Sequence, residues 1–347
     1  MPAPLLTTTI GSYPKPDYLR FPTFRPKQSD PTGAYSAYLR GRTAEDEARV
    51  RQATAEVVRH QVEAGVEVPT DGEVPREHYI YYHLRHLDGF DFQSLTERPM
   101  RNAHWAARVP TVTGPVRPRA HFLPDDWRVA QAATRRPVKM TVPGPLTIMD
   151  SVADAHYRDE RALGAALADA LNHELRALAE AGCPYLQVDE PVFAREPERG
   201  LAYGLEHLER CFHKVPPQVR RVVHICCGYP AALDLEDYPK ADPQAYFRLA
   251  DGLDRAAVDA VSLEDAHRHN DLRLLERFPR TEVILGVVAI ARSRVEPVDE
   301  IVERLRAALG HIDRERLVAA PDCGLAMLHR DTVHRKLSNM VAAAQAA

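Results

Sequence analysis

Four side chains able to bind a metal stand at the ends of three strand-like runs: His224 and Cys226 in RVVHICCGYP, Glu264 in VDAVSLEDAH and Cys323 in RLVAAPDCGL. Residues two apart on a strand project from the same face, so His224 and Cys226 can reach one ion together. Pro321 and Gly324 break the last run and leave the Cys323 thiol at its carboxyl end. Imidazole, thiolate and carboxylate are the ligands zinc takes in a tetrahedral set, and strands curled into a barrel gather their ends around one point. Cys227 is the rival of Cys226: it points to the opposite face of a regular strand, and a bulge would exchange the two. His267 and His269, in the charged stretch EDAHRHND, could also be ligands but read first as solvated side chains, and Cys183 and Cys211 as packed structural thiols.

To position those side chains the chain offers short β-branched runs alternating with helical stretches, the pattern of parallel strands joined by crossover helices. Eight runs can be counted, near Thr8, Val68, Met140 and Gln187 and then in RVVHICC, VDAVSLE, VILGVVAI and RLVAAPDCG. Each empties into a cluster of Gly, Pro, Asp or Glu. Leu163, Leu167, Leu171, Leu175 and Leu178 recur at helical spacing before Gly182 closes the segment. A second helix is predicted from about Thr43 to Ala64, with Thr43 and Asp46 as a capping pair and Gly65 beyond its end; a third follows Pro297, from Val298 to Leu309. From about Tyr79 to Arg136 aromatic, basic and proline residues mix without periodicity. That stretch is expected to be an insertion between the second and third strands, with a small hairpin around PTVTGPVRPRA. No linker divides residues 1–347, which read as one domain.

Composition narrows the partners. The chain has 45 basic and 49 acidic residues, a formal charge of -4, and no Lys/Arg block that would track a phosphate backbone, so nucleic acid is not expected. The opening MPAPLLTTTIGSYP lacks a basic leader followed by an apolar stretch, and no window approaches the ~18 apolar residues of a membrane span. A soluble, cytoplasmic protein is expected, with no membrane partner. Five cysteines are few and odd in number, which favours reduced thiols over a disulfide framework.

The segments TTTIGSYP, DGE at Asp71 to Glu73, LDGFDF, PVKMTVPGPLTI, VDEPVF, HICCG, SLED and PDCGL run nearly end to end, and with them the chain resembles the catalytic barrel of the cobalamin-independent methionine synthase family, in its short form. The resemblance implies a (β/α)8 TIM barrel with the 79–136 insertion. It implies zinc at His224, Cys226, Glu264 and Cys323. It also implies homocysteine as the thiol substrate, with Ile10, Gly11 and Ser12 donating backbone hydrogen bonds to its carboxylate and Glu73 and Asp189 pairing with its ammonium group. A thiol near its free pKa of ~8.5 is mostly protonated at neutral pH, whereas a metal-bound thiol is deprotonated. Four protein ligands are otherwise the mark of a closed structural site, so catalysis requires one to yield, and Glu264, the hardest, is expected to be that one. Glu190 and Arg76 are neighbours without an assigned role.

Two departures from the family bear on the methyl donor, folate or a methylated corrinoid. The long members carry an additional amino-terminal barrel for polyglutamylated methyltetrahydrofolate, whereas residues 1–347 are expected to form the catalytic barrel alone. They also carry an Asp-Ile-His after strand seven whose His donates a proton; Ala289, Ile290 and Ala291 stand here. Arg292 cannot replace that acid, because guanidinium stays protonated across the working range. The reading is a zinc-dependent methyltransferase making methionine. The alternatives are a zinc-dependent alkyl-thiol transferase or lyase of the epoxide-thiol type, which retention of Glu73 and Asp189 disfavours, and a non-catalytic zinc-binding protein.

Overall fold

Runs of β-branched and apolar residues buried on both faces favour a parallel sheet covered by helices, and that is the architecture found. The computed structural model describes residues 3–20, 22, 32–100, 105–235 and 240–347. Its strands are β1 (Leu6–Thr7), β2 (Leu87–Met100), β3 (Trp105–Pro118), β4 (Lys139–Pro143), β5 (Ala153–Asp154), β6 (Tyr185–Asp189), β7 (Arg220–Ile225), β8 (Ala260–Leu263), β9 (Glu282–Val288) and β10 (Leu317–Pro321). Seven of them form one curled parallel sheet in the order β1-β10-β9-β8-β7-β6-β4. Every residue of β4, β8 and β10 is buried.

The run near Val68 differs from the expectation of a strand. It contributes two isolated parallel bridges, Thr8 with Val68 and Thr70 with Lys139, so it touches both edge strands of the sheet. Pro69 lies between the two bridges and has no N–H to extend a ladder. Its carbonyl still accepts from the Lys139 N–H at 2.9 Å, and the Val68 N–H donates to the Thr7 carbonyl at 3.0 Å.

Alternation within the strands divides the apolar residues in two. Ile10, Val222, Ala260, Ile284, Val318 and Ala320 pack together inside the curl. The larger core lies outside it, between the sheet and the helices. The helix Glu160–Ala181 buries Leu163, Leu167, Leu171, Leu175 and Leu178 and ends at Gly182, whose φ of 102° is the left-handed conformation that glycine adopts without a Cβ penalty. The helix Ala44–Glu63 carries the predicted capping box: the Asp46 N–H donates to Thr43 Oγ1 at 3.2 Å and the Thr43 N–H to Asp46 Oδ2 at 2.9 Å. The helix Val298–Ala308 begins after Pro297 as expected. Among the described residues no helix is long and apolar enough to cross a membrane.

Between the 68–70 segment and β4 lie a short helix (Tyr81–Leu84), the antiparallel pair β2 and β3, and the helix Leu123–Gln131. The small hairpin expected around PTVTGPVRPRA is not formed; most of that stretch is one strand, β3, of a longer hairpin. Gly114-Pro115 has the look of a turn signal, but Gly114 serves a close approach. A Cβ on Gly89, at φ +93°, would lie 2.7 Å from the Gly114 carbonyl oxygen, so the strands cross there only because Gly89 is bare.

Candidate active site

β7 brings His224 to the carboxyl end of the sheet, and Cys226 follows just beyond it; Val222, His224 and Cys226 share the inward face. Cys323 comes two residues after β10. The candidate ligand atoms of His224, Cys226 and Cys323, three of the four residues singled out in the sequence, all lie within 4.8 Å of one another. His224 Nδ1 is 2.9 Å from Ser262 Oγ on the neighbouring strand β8. Its Nε2 is buried and has no hydrogen-bond partner among the described residues. A buried nitrogen left unpaired is costly, and here it belongs to a group with two thiols. The donor set therefore fits a zinc ion.

The thiols are strongly coupled. Cys226 is held well below the ordinary thiol range, first by a hydrogen bond from Cys323 and then, against burial, by the His224 ring beside it. Cys323 is correspondingly pushed up by that hydrogen bond and by burial. Cys227 lies on the other face, packed in the outer core, with burial raising its thiol to about 12. Cys226, and not its neighbour, joins the group.

Glu264 is buried immediately after β8, yet it is not among the atoms grouped within 4.8 Å. Its Oε2 accepts from Lys240 Nζ at 3.2 Å. Burial and the charge on Cys226 raise its carboxyl well above the ordinary range. Asp322 holds this corner together. Its carboxylate accepts from the N–H groups of Asp265, Ala266 and His267, each at 2.8 Å, and so ties the loop after β8 to the end of β10. A Cβ on Gly286 would lie 2.2 Å from Asp322 Oδ1, so that glycine makes room for the tie.

His267 differs from the solvated side chain expected of it. Its side chain is 3% exposed, its Nδ1 is 2.7 Å from Asp322 Oδ2, and its Nε2 accepts from the Ala291 N–H at 3.2 Å. The local run of charges hid this, because the burying partners come from β10 and the loop after β9. His269 is exposed, and Cys183 and Cys211 are fully buried, as expected.

The second half of the site is built from backbone turns. After β1, the carbonyls of Ile10, Gly11 and Ser12 are all engaged, by Gln187 Nε2 at 2.8 Å, Thr70 Oγ1 at 2.9 Å and the Leu325 N–H at 2.6 Å. Their N–H groups make no hydrogen bond among the described residues. Glu73 takes a φ of 53°, left-handed backbone that is uncommon for a residue with a side chain. The Asp71 carboxylate, accepting from the Glu73 N–H at 3.0 Å, fixes that turn. A Cβ on Gly11 would lie 2.7 Å from Glu73 Oε1, so the bare glycine admits the carboxylate.

Burial pushes the Glu73 carboxyl up to about 7, opposed by Arg76, whose Nη1 is 3.6 Å away. Asp189, at the end of β6, is raised to about 6 by burial, opposed by His224, by the 2.7 Å hydrogen bond from Gln187 Nε2, and by Arg76 and Lys139. Each carboxyl is thus poised for a cation. Glu190 does something else: it accepts from the N–H groups of Leu146 and Thr147, both at 2.9 Å, capping the helix Pro145–Asp150.

Two tyrosines of the site escape sequence reasoning. Tyr79 is kept protonated by burial and then by the charges of Cys226 and Asp189 beside it, and its neighbours also include Cys323. Tyr229 donates to the Gly324 carbonyl at 3.3 Å and lies among Cys323, Glu73, Cys226 and Ser12. Tyr229 follows Gly228 after HICC, a loop position that could have drawn notice. Tyr79 opens an aperiodic segment and carries no signal.

Over residues 5–212 and 242–346 the chain matches the family described as cobalamin-independent synthase, catalytic domain. It is 31% identical to a methionine synthase of Thermococcus kodakarensis, over 98% of this chain and 93% of that protein. Identity with a methionine synthase of Sulfolobus acidocaldarius is 30%, over 97% and 90%. It superposes with a TM-score of 0.86 on the structure of a B12-independent methionine synthase from Shewanella sp. W3-18-1 in complex with selenomethionine, at 28% identity and covering 99% and 98% of the two chains. A curled parallel α/β sheet bearing a His/Cys/Cys group defines the class, and the chain belongs to the cobalamin-independent methionine synthase family.

Proposed function

We propose that this protein is a methyltransferase that moves a methyl group onto the thiol of homocysteine to form methionine, at a zinc held by His224, Cys226, Cys323 and Glu264. The observation that carries it is two chemistries at the carboxyl ends of the strands: an unpaired buried Nε2 beside two thiols, and a pair of buried carboxyls near the turn that carries three unbonded N–H groups. When bound, zinc supplies a thiolate at neutral pH from a thiol that would otherwise stay protonated. Ser262 fixes which imidazole nitrogen His224 presents. Glu264 is the ligand that yields, and Lys240 is a partner waiting for it when it does.

Substrate placement falls to the other half. The ammonium group pairs with Glu73 and Asp189, whose shared negative charge it relieves, and the carboxylate takes the N–H groups of Ile10, Gly11 and Ser12. The methyl carbon leaves its donor and bonds to the substrate sulfur, and the thiol proton passes to solvent. A folate donor departs as an amine nitrogen and calls for a general acid, an effect worth typically ~10²- to 10⁴-fold. Ala289 to Ala291 offer none, and both ring nitrogens of His267 are engaged. A methylated corrinoid, which departs without taking up a proton at that centre, is therefore the favoured donor.

We read the curled sheet and the 68–70 bridges as a closed (β/α)8 barrel, with about 79–136 inserted between its second and third strands and residues 1–347 forming one cytoplasmic catalytic unit. The experiment is methionine formation by the purified, zinc-loaded protein with homocysteine and each donor in turn. Methylated corrinoid is expected to support turnover and free methyltetrahydrofolate to support little. Robust turnover on methyltetrahydrofolate overturns the donor assignment; turnover of a thiol lacking the amino group, with none of homocysteine, overturns the acceptor and favours the alkyl-thiol reading.

A further inference from the structure

A second group of metal-binding side chains lies apart from the site, on the outer layer. His121, His173 and Glu174 bring their ligand atoms within 4.8 Å of one another. His173 and Glu174 belong to the helix Glu160–Ala181, and His121 comes two residues before the helix Leu123–Gln131. One oxygen of Glu174 is committed to the fold. This atom, Oε2, accepts from the N–H groups of Phe122 and Leu123, at 3.2 and 3.1 Å, and caps the second helix. Capping accounts for the buried Oε2 and for nothing else in the group. The other oxygen, Oε1, is 2.8 Å from His121 Nδ1, and the His121 ring stacks on His173 with centroids 3.9 Å apart and planes 17° apart. The His121 side chain is 45% exposed, so an ion and its waters can reach the group from solvent.

We propose that His121, His173 and Glu174 form a binding site for a divalent transition-metal ion of the zinc, cobalt or nickel type. Two neutral imidazoles and one carboxylate make a borderline donor set that suits these ions, whereas magnesium and calcium prefer oxygen alone. Three protein ligands leave a position for water, so the ion is held openly, and more weakly than at a thiolate site. The hydrogen that now lies between His121 Nδ1 and Glu174 Oε1 marks the place of the ion. For His121 to coordinate through Nδ1, its ring proton moves to Nε2 and the imidazole stays neutral; the pair opens by about half an ångström to reach bonds of ~2.0–2.2 Å, and the His173 ring turns out of the stack to aim a nitrogen at the ion. Glu174 Oε2 keeps its cap throughout. The ion then clips the connection ahead of Leu123–Gln131 to the helix Glu160–Ala181, elements joined here by side chains 53 residues apart.

The test is equilibrium dialysis of the full chain against micromolar zinc, followed by metal analysis. The unchanged protein is expected to bind two ions per chain. His121→Ala/His173→Ala should bind one, with methyl transfer unaffected, because neither residue belongs to the catalytic site. Cys226→Ala/Cys323→Ala should also retain one, at the histidines, and added zinc should raise its Tm by a few degrees. As many ions in the histidine variant as in the unchanged protein overturns the proposal. Two ions retained by the cysteine variant would instead refute the thiol ligands and leave the histidine site to be judged on its own variant. If the histidine variant does not fold, cobalt added to the unchanged protein decides: broadening of the His121 and His173 ring resonances supports the site, and their persistence overturns it.

Discussion

The two halves of the active site solve opposite problems. The His224, Cys226 and Cys323 group is soft and nearly preassembled, its ligand atoms within 4.8 Å of one another and one buried imidazole nitrogen without a hydrogen-bond partner among the described residues. The Glu73 and Asp189 pair is hard and held under tension: burial raises both carboxyls, and Arg76 keeps them from rising further. On the proposed function the metal half would keep its geometry as ligands exchange, which suits an imidazole held by Ser262 on the neighbouring strand. On the proposed function the substrate half would bind an ammonium group and release it, which suits carboxyls whose charge Arg76 compensates only in part.

The largest effect that separates the halves should come from Cys226→Ala. Zinc affinity, measured by chelator competition, is expected to fall further than the ~10–100-fold that removal of a supporting partner costs. Methyl transfer should fall with it, while Cys227→Ala keeps its metal. Full zinc occupancy in Cys226→Ala would break the assignment of this half. Next is Asp189→Asn, which should cost about 2 kcal/mol of homocysteine binding, roughly 30-fold, with zinc content unchanged. Calorimetry checks it, and loss of zinc in this variant would mean that the halves are not separable. Ser262→Ala, which removes the partner of His224 Nδ1, should weaken zinc about tenfold and leave the binding of the amino-acid portion alone.

A further test of the substrate half is its pH response. Glu73 and Asp189 are raised to about 7 and about 6 from ordinary values of 4.5 and 3.8, so the folded, unliganded protein holds their protons more tightly than the unfolded chain. Their contribution to stability is present below those ordinary values and is lost as pH rises through about 6 to 7. Binding of an ammonium group runs the other way, because it requires the charged carboxylates. The affinity for methionine, whose thioether does not titrate, should climb by about tenfold or more between pH 5 and 7.5 and then level off. A flat profile in calorimetry would remove the carboxyl pair from ammonium binding.

The same division governs what could be read without the structure. The metal half was legible because its residues follow a local rule: alternate positions of a strand share a face, and a Pro or Gly after the strand exposes the next side chain, so HICC and PDCG declared their own geometry. The fold was legible for the same reason in the leucine-spaced helix and the Thr43 cap. The substrate half was legible only by resemblance, since no periodicity tells that Glu73 will adopt a φ of 53° or that Gly11 will clear its carboxylate. The hairpin was misread because Gly114-Pro115 has the composition of a turn, while its use as a crossing point depends on Gly89 in another strand.

What the sequence by itself determined, then, is the supply of side chains and their faces: an imidazole and a thiol two apart, a second thiol after a strand-ending proline, carboxylates at two other run ends, and helices long enough to cover a parallel sheet. Tertiary structure decided how each would act. Ser262 from β8 chose the nitrogen that His224 leaves free, Lys240 took the carboxylate of Glu264, and Asp322 from the end of β10 buried a histidine that its own neighbours mark as solvated. Burial then moved Glu73 and Asp189 toward neutrality. Face and spacing are set by φ and ψ within a few residues, whereas desolvation and hydrogen-bond partnership are set by groups tens to hundreds of residues away, and those meet only when the chain folds.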